Sequence, residues 1–307
     1  MTKQNNCILL LLLFCVFSSV SAQQTPTFTE YNYNPFIINS AYAGAQPEAE
    51  ATLSNIGFGS VDFEGAPRSL MFTFNTPLRN EKVGLGVGII NDEIGVTSAT
   101  QFFAAYSYKI YLNDNAQPYW KVYDRSFISF GLSAGALIYN QDLLSLGIQN
   151  DPNFAENINS TLPTAGVGVL LGYGNFFAGV SAPNILGGAL TNQDNLNISR
   201  PFYGYTGYHF VLNPYQPDFI LKPSMLFKYE SGAPLQVDTN LSLSFKNAIE
   251  IGAGFRTSNT FNALAGFYLL KNFRALYSYT QGGGDSPLRN THGIVLSYRG
   301  GGGYQTR

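Results

Sequence analysis

Three observations predict an all-β fold, a transmembrane outer-membrane β-barrel of about 14 antiparallel strands. Only 12% of the residues are charged, against about 25% in a typical soluble domain, and 15% are aromatic. Apolar and polar residues alternate with a period of two in one segment after another. Beyond the first 22 residues no apolar run reaches about 18 residues, the length that predicts a membrane-spanning helix. A surface that partly faces lipid accounts for all three observations.

Residues 1–22 are predicted to be a cleaved secretory signal peptide. Lys3 supplies the positive start, residues 8–20 form an apolar core, and a Val-Ser-Ala cleavage signal ends at Ala22. Cleavage there makes Gln23 the first residue of the exported chain. A transmembrane anchor is the alternative, but the apolar run is shorter than the roughly 20 residues that span a bilayer.

The cysteines and the net charge limit the classes of partner. Both cysteines, Cys7 and Cys15, lie in the leader, so no disulfide framework is expected after cleavage. The formal net charge is only −2 at pH 7. A net charge this small, and negative, argues against nucleic acid as a partner.

Residues 23–50, between the leader and the first predicted strand, are rich in Asn and Tyr. The stretch YNYNPFIINSAYAGA at 31–45 matches neither a helix nor a strand. Its Asn and Pro residues suit an interaction or plug element at the periplasmic mouth of a barrel, because they favour turns and fixed bends. The other interpretation is a lead-in to the first strand that packs inside the barrel and fills its lumen. The residues assigned to this segment's role are Tyr31, Asn34, Pro35, Asn39, Tyr42 and Gly44.

The alternation of apolar and polar residues predicts that residues 51–300 form the barrel. In LSLSFK at 241–246, for example, large apolar residues alternate with serine and lysine. Tyrosines gather near the ends of predicted strands, as in the aromatic girdles of membrane barrels. Lipid leaves no partner for an open sheet edge, so the strands must close on themselves. The predicted strands are 51–60, 68–77, 82–91, 99–111, 126–140, 164–173, 175–182, 202–212, 218–230, 234–246, 248–257, 260–269, 272–281 and 289–299.

The connections between these strands alternate in length, with short periplasmic turns and long outer loops, except that the periplasmic connection at 113–126 is long. The loops at 141–161 and 182–200 are long and carry apolar residues. Such residues either pack across the barrel mouth or form a docking surface for an exported protein, and the sequence leaves both interpretations open. The apolar residues concerned are Leu143, Leu144, Leu146, Phe154, Ile185 and Leu186.

The sequence offers little for catalysis or metal binding. A hydrolase grouping of His292 with Asp285 and Ser286 lacks a second element that orients the base, and His209 is the only other histidine. Asn and Asp clusters at 91–93 and 192–195 lack the spacing of a calcium loop. We therefore expect a protein that is not an enzyme and that has no cofactor and no metal site.

Two glycine-rich stretches bear on the lumen and on the end of the chain. Gly84, Gly86 and Gly88 alternate in VGLGVGI without the Lys-Ser/Thr of a phosphate loop. Small residues on the inner face of a strand leave room for a plug or a narrow lumen. The Gly-rich tail at 301–307 is predicted to be flexible from its composition.

Several of these stretches resemble the PorP/SprF family, outer-membrane barrels of the type IX secretion system in Bacteroidota. The opening match is YNPFIINSAYAG at 33–44, with Ser40 where the family often has Pro. The family usually ends on an aromatic residue just after the last strand, whereas Arg299 is followed here by GGGGYQTR. Further matches follow in order at SLMFTFNTPL (69–78), VGLGVGIINDEIG (83–95), LKPSMLFKYESGAPLQVDTNLSLSFKN (221–247) and HGIVLSYR (292–299).

The resemblance implies an accessory barrel that supports export or surface anchoring of proteins such as adhesins, in systems that also serve gliding motility. Its implied partners are outer-membrane lipid, type IX secretion machinery and exported cargo with a C-terminal sorting domain. The alternative is an outer-membrane porin or hydrophobic-solute transporter. Charged residues on the predicted inner faces permit that alternative, namely Lys222, Lys228, Glu250 and Arg256.

Overall fold

The chain folds into one closed antiparallel β-barrel. The computed structural model describes residues 29–58, 65–78, 81–112, 118, 121–123, 125–148, 151, 154–187, 198, 200–282 and 290–304. The predicted leader and its cleavage site at Ala22/Gln23 lie outside these residues. The first strand pairs with the last, so the sheet has no free edge.

Fourteen strands form the barrel wall, because two short consecutive segments on either side of His209 both pair with the same neighbour. Every strand is antiparallel to the next along the chain. The strands are β1 Glu50–Phe58, β2 Arg68–Pro77, β3 Val83–Ile94, β4 Thr97–Tyr111, β5 Phe127–Gln141, β6 Ile158–Tyr173, β7 Phe176–Ala182, β8 Phe202–Tyr208 with its continuation Phe210–Val211, β9 Phe219–Tyr229, β10 Gln236–Phe245, β11 Ile249–Arg256, β12 Thr260–Leu269, β13 Phe273–Gly282 and β14 Asn290–Arg299.

The predicted fold class and strand number are confirmed, and one loop is shorter than predicted. Strands β5 and β6 stay paired as far as Gln141 and Ile158, so their connection covers only 142–157. The sequence does not predict 158–163 as strand, because its exposed residues Asn159, Thr161 and Pro163 are not the large apolar residues that mark the outer face elsewhere. The other predicted strands match to within a few residues.

The apolar face of each strand points outward. In β2, Leu70, Phe72 and Phe74 are exposed, whereas Met71 and Thr73 between them are buried. The same pattern of exposed Leu, Ile, Phe and Tyr recurs around the wall. An apolar exterior with a polar interior is the arrangement of a barrel whose outer surface contacts lipid.

The two ends of the barrel differ. An even number of strands places both termini at one end, which we assign to the periplasm because most of its turns are short. At the β10–β11 turn, Lys246 and Asn247 both have positive φ and the amide of Ala248 donates to the carbonyl of Phe245 at 2.9 Å, which is the conformation of a type I′ turn. None of the helices in the described ranges is long and apolar enough to cross a membrane.

Candidate functional site

Residues 31–45, here called the luminal segment, lie inside the barrel. Nearly all of their side chains are buried, and Tyr31, Phe36 and Ile38 are exposed by 2% or less. The segment leads into β1 at Glu50, so it enters the lumen from the periplasmic end. The prediction of an N-terminal element at or in the periplasmic mouth is confirmed for its position.

Two short 3₁₀ helices, Pro35–Ile37 and Ser40–Tyr42, give the luminal segment its compact shape. Asn39 links them, because its side-chain Oδ1 accepts a hydrogen bond from the amide of Ala41 at 2.8 Å. The same side chain donates to the carbonyl of Val169 on β6 at 3.0 Å. A short turn with its own caps suits a segment that has neither helical nor strand periodicity.

The residues assigned to the segment from sequence lie in contact with the wall. Asn34 donates to Thr73 Oγ1 at 2.9 Å. Tyr31 accepts a hydrogen bond from Asn240 at 2.7 Å, and burial raises its pKa to about 12. Tyr42 is half-buried and lines the cavity beneath the segment.

Hydrogen bonds anchor the segment to much of the barrel circumference. Ser107 on β4 donates to the carbonyl of Ala43, and Ser181 on β7 donates to that of Ile38, both at 2.6 Å. Including the bonds already described, strands β2, β4, β6, β7 and β10 each hold part of the segment. A segment bonded to opposite walls spans the lumen rather than lining one side.

Glycines on the inner faces of the strands provide the space for this segment. A Cβ at Gly84 would overlap the carbonyl of Ala43, and one at Gly86 would overlap the ring of Phe36. Gly131 on β5 lies equally close to the backbone of Ser40 and Ala41. Gly84 and Gly86 therefore have the role expected from sequence, the provision of room within the lumen.

We expect the substitution Gly131→Ala to displace the luminal segment, because its Cβ would meet rigid backbone rather than a movable side chain. Overpacking of this kind costs about 1–3 kcal/mol. The free energy of unfolding and protease cleavage within residues 31–45 would both report the change. Gly204→Ala is the matched control, since its Cβ would meet only Phe227 Cβ, at 3.9 Å. If both variants had the same free energy of unfolding and the same protease cleavage, the close packing of the segment against Gly131 would be contradicted.

Glu250 on β11 is the centre of a buried polar network. Its carboxylate accepts hydrogen bonds from Tyr33 at 2.9 Å and Tyr268 at 2.5 Å, and from Ser242 at 2.8 Å. Lys222 completes the set as an ion pair at 3.0 Å. Burial raises the pKa of Tyr33 well above its usual range, so its hydroxyl remains protonated and donates to Glu250.

A second network joins the two ends of the chain. Arg274 donates to the carbonyl of Tyr33 at 2.7 Å and pairs with Glu50 at 3.3 Å. Arg299, the last residue of β14, also pairs with Glu50, at 3.1 Å. Since β1 and β14 close the barrel, this cluster reinforces the closing seam where the luminal segment enters.

The first residues of the Gly-rich tail fold back into this cluster instead of extending freely. Gly300 donates to the carbonyl of Ala49 at 2.9 Å, and the chain turns so that Tyr304 enters the lumen. Tyr304 donates to Glu50 at 2.7 Å, and its ring lies 4.3 Å from the guanidinium of Arg299. Glycine composition predicted flexibility, but the bonds of Tyr304 outweigh it for residues 300–304. Residues 305–307 lie outside the described part.

An apolar layer covers the luminal segment on its outer side. Ile37 and Ile38 of the segment pack against side chains from opposite walls. The wall residues of this layer are Met71, Ile90, Tyr203 and Leu226, each buried. Close packing of apolar side chains disfavours water in this part of the lumen.

The apolar loop residues identified from the sequence differ in how far their side chains are exposed. Leu144 and Leu146, in a short 3₁₀ helix, are exposed, and so is Ile185. Leu143 is buried beneath them. Phe154 and Leu186 are half-buried. The outer opening therefore has a mixture of packed and exposed apolar side chains.

Of the candidate catalytic groups, the structure describes the two histidines, which lie in different parts of the wall. His209 packs against Phe177 in the wall, and His292 shares a hydrogen bond of 2.6 Å with Tyr277. Asp285 and Ser286, like the cluster at 192–195, lie outside the described residues. Within the described ranges no group of three His, Cys, Asp or Glu side chains could hold a metal ion.

An apolar exterior, a closed sheet and a polar lumen define an outer-membrane β-barrel, and the luminal segment lies inside it. Residues 20–298 match the family described as type IX secretion system membrane protein PorP/SprF. The chain belongs to this family. Its members are described as membrane proteins of a secretion system.

Solved structures and curated proteins give weaker comparisons. The Acinetobacter baumannii outer membrane protein Omp33 has a TM-score of 0.44 and 9% identity, over 83% of this chain and 99% of that chain. A mutant of the Rhodopseudomonas blastica porin has a TM-score of 0.36 and 8% identity, over 82% and 98%. No curated protein matches the chain.

Proposed function

We propose that this protein is a non-catalytic accessory barrel of the type IX secretion system. It binds a machinery component at its periplasmic end, exported cargo with a C-terminal sorting domain at its outer loops, or both. Such binding supports export or surface anchoring of proteins such as adhesins. The observation that carries the proposal is the luminal segment, because a barrel closed by its own chain is better suited to binding than to passage of solutes.

The outer loops support the part of the proposal that concerns cargo. Strands β5 and β6 have 15 and 16 residues, whereas β7 has 7, so the wall is tallest where the 142–157 loop begins. Leu144 and Leu146 are exposed on that loop while Leu143 packs beneath them. Exposed apolar side chains on a supported loop favour contact with another protein.

Comparison of exported proteins, in the medium and on the cell surface, with and without this gene tests the proposal. We expect loss of one or a few sorting-domain proteins for a dedicated cargo partner, and loss of the whole type IX set for a core component. Restoration by the intact gene is the control. An unchanged exported proteome would contradict the proposal.

The porin alternative has less support. Inner charged residues seemed compatible with an open channel, but Lys222 pairs with Glu250 and Arg256 pairs with Asp238 through two bonds of 2.8 Å. Lys228 is likewise paired, with Glu230 at 3.5 Å. Paired charges hold the wall together and leave few free groups to attract an ion. Single-channel conductance separates the two functions.

A further inference from the structure

A cavity of about 510 Å³ lies beneath the luminal segment at the periplasmic end, and we call it the vestibule. The segment forms its roof. Its sides come from the strands, from residues 121–123 and 125 of the β4–β5 connection and from residues 302–304. This volume is within the range of about 300–1,000 Å³ that is typical of small-ligand sites. It suits a few residues of an extended chain that enters from the periplasm.

The vestibule wall carries more positive than negative side chains. The cations are Lys109, Lys121, Arg125, Lys222, Arg274 and Arg299, and the carboxylates are Glu48, Glu81 and Glu250. Four of the cations are paired, three within the networks described above and Arg125 with Glu81 at 2.6 Å.

The excess positive charge lies on one side. Among the described residues, neither Lys109 nor Lys121 forms an ion pair with a carboxylate. Lys109 donates to the carbonyl of Gly44 at 2.5 Å, and Lys121 lies half-buried in the 112–126 connection. A carboxylate that entered here would gain a charged partner in a partly water-excluded space.

Aromatic rings line the same side of the vestibule. The guanidinium of Arg125 lies 4.0 Å from the centre of the Tyr111 ring. Tyr123 and Phe127 meet edge to face with centres 5.3 Å apart. Rings beside cations that lack a carboxylate partner among the described residues fit a chain that alternates carboxylates with apolar or aromatic groups, whereas a small anion alone would leave the ring surfaces unused.

From this combination of charge, rings and volume, we infer that the vestibule receives an acidic, extended segment of a periplasmic partner protein. Its carboxylates face Lys109 and Lys121, and its apolar side chains contact Tyr111 and Tyr123. This inference rests on the proposed function and specifies the chemistry of the partner at the periplasmic end.

Fluorescence anisotropy with the folded full-length barrel in detergent tests the inference. The probe is a fluorescein-labelled peptide of alternating glutamate and tyrosine, and its counterpart replaces each glutamate with glutamine. We expect the glutamate peptide to bind about tenfold more tightly or better. We expect Lys121→Glu to weaken its binding by at least about tenfold, because the substitution reverses a charge that faces the peptide.

Lys271→Glu is the matched control, since Lys271 is an exposed lysine of the periplasmic β12–β13 turn and does not line the vestibule. Equal binding of the two peptides, or equal losses in the two variants, would overturn the inference. Displacement of the peptide by millimolar phosphate would also overturn it, in favour of a site for a free anion. If the peptide does not bind but deletion of the gene still impairs export, the inference of an acidic partner segment is wrong, whereas the proposed function in secretion is retained.

Discussion

Removal of residues 31–45 is expected to turn a closed barrel into a conducting pore. In the intact protein, the segment spans the lumen, and its side chains form one buried apolar cluster with Met71 and Leu226. Without the segment, the inner-face glycines leave open space where Phe36 and Ala43 now lie. The polar groups that held the segment would face that space and attract water.

Single-channel recording in planar bilayers measures this effect. We expect no stable current steps from the intact barrel and clear steps from the variant that lacks 31–45. Replacement of residues 144–148 with Gly and Ser is the control, because it alters a loop of similar hydrophobicity outside the lumen. A folded deletion variant that carries no current would show that strand side chains alone close the barrel. Stable steps from the intact protein would favour the porin.

The barrel could be predicted from sequence because lipid imposes a simple pattern. An outward-facing residue must be apolar, so β2 and β10 show their alternation without any knowledge of their neighbours. The tight turns could also be predicted, because Lys246 and Asn247 lie between two runs of alternating apolar and polar residues. Strand β6 began earlier than predicted because its first residues extend beyond the apolar zone and lack the pattern.

The interior could be predicted only in part. Asn and Pro indicated turns in the luminal segment, and alternation placed Glu250 on an inner face, but no pattern joined Glu250 to Tyr33. That contact links residues 217 positions apart and depends on how far the segment enters the closed barrel. Tyr304 could not be placed for the same reason, because its hydroxyl bonds to Glu50 of β1, which meets Arg274 and Arg299 only when the barrel closes.

Loss of the Glu250 carboxylate is expected to cause a large loss of stability. The side chain is fully buried, with four donors around it. Glu250→Ala would leave Lys222 without its partner and the hydroxyls of Tyr33 and Tyr268 without an acceptor. Removal of one member of a buried ion pair costs about 3–5 kcal/mol. Denaturant unfolding in detergent micelles, followed by the gel mobility of folded and unfolded barrel, gives the free energy.

Glu81→Gln is the appropriate control, because Glu81 pairs with Arg125 at a solvent-exposed position. An exposed pair contributes at most about 1 kcal/mol, so this variant should remain close to the intact protein. Glu250→Ala should also free the luminal segment, since Tyr33 loses its bond, and protease should then cut within 31–45. A loss of stability no greater than that of Glu81→Gln would mean that water replaces the missing carboxylate. In that case the lumen is hydrated around Tyr33, and the segment is held by its other anchors on β2, β4, β6 and β7.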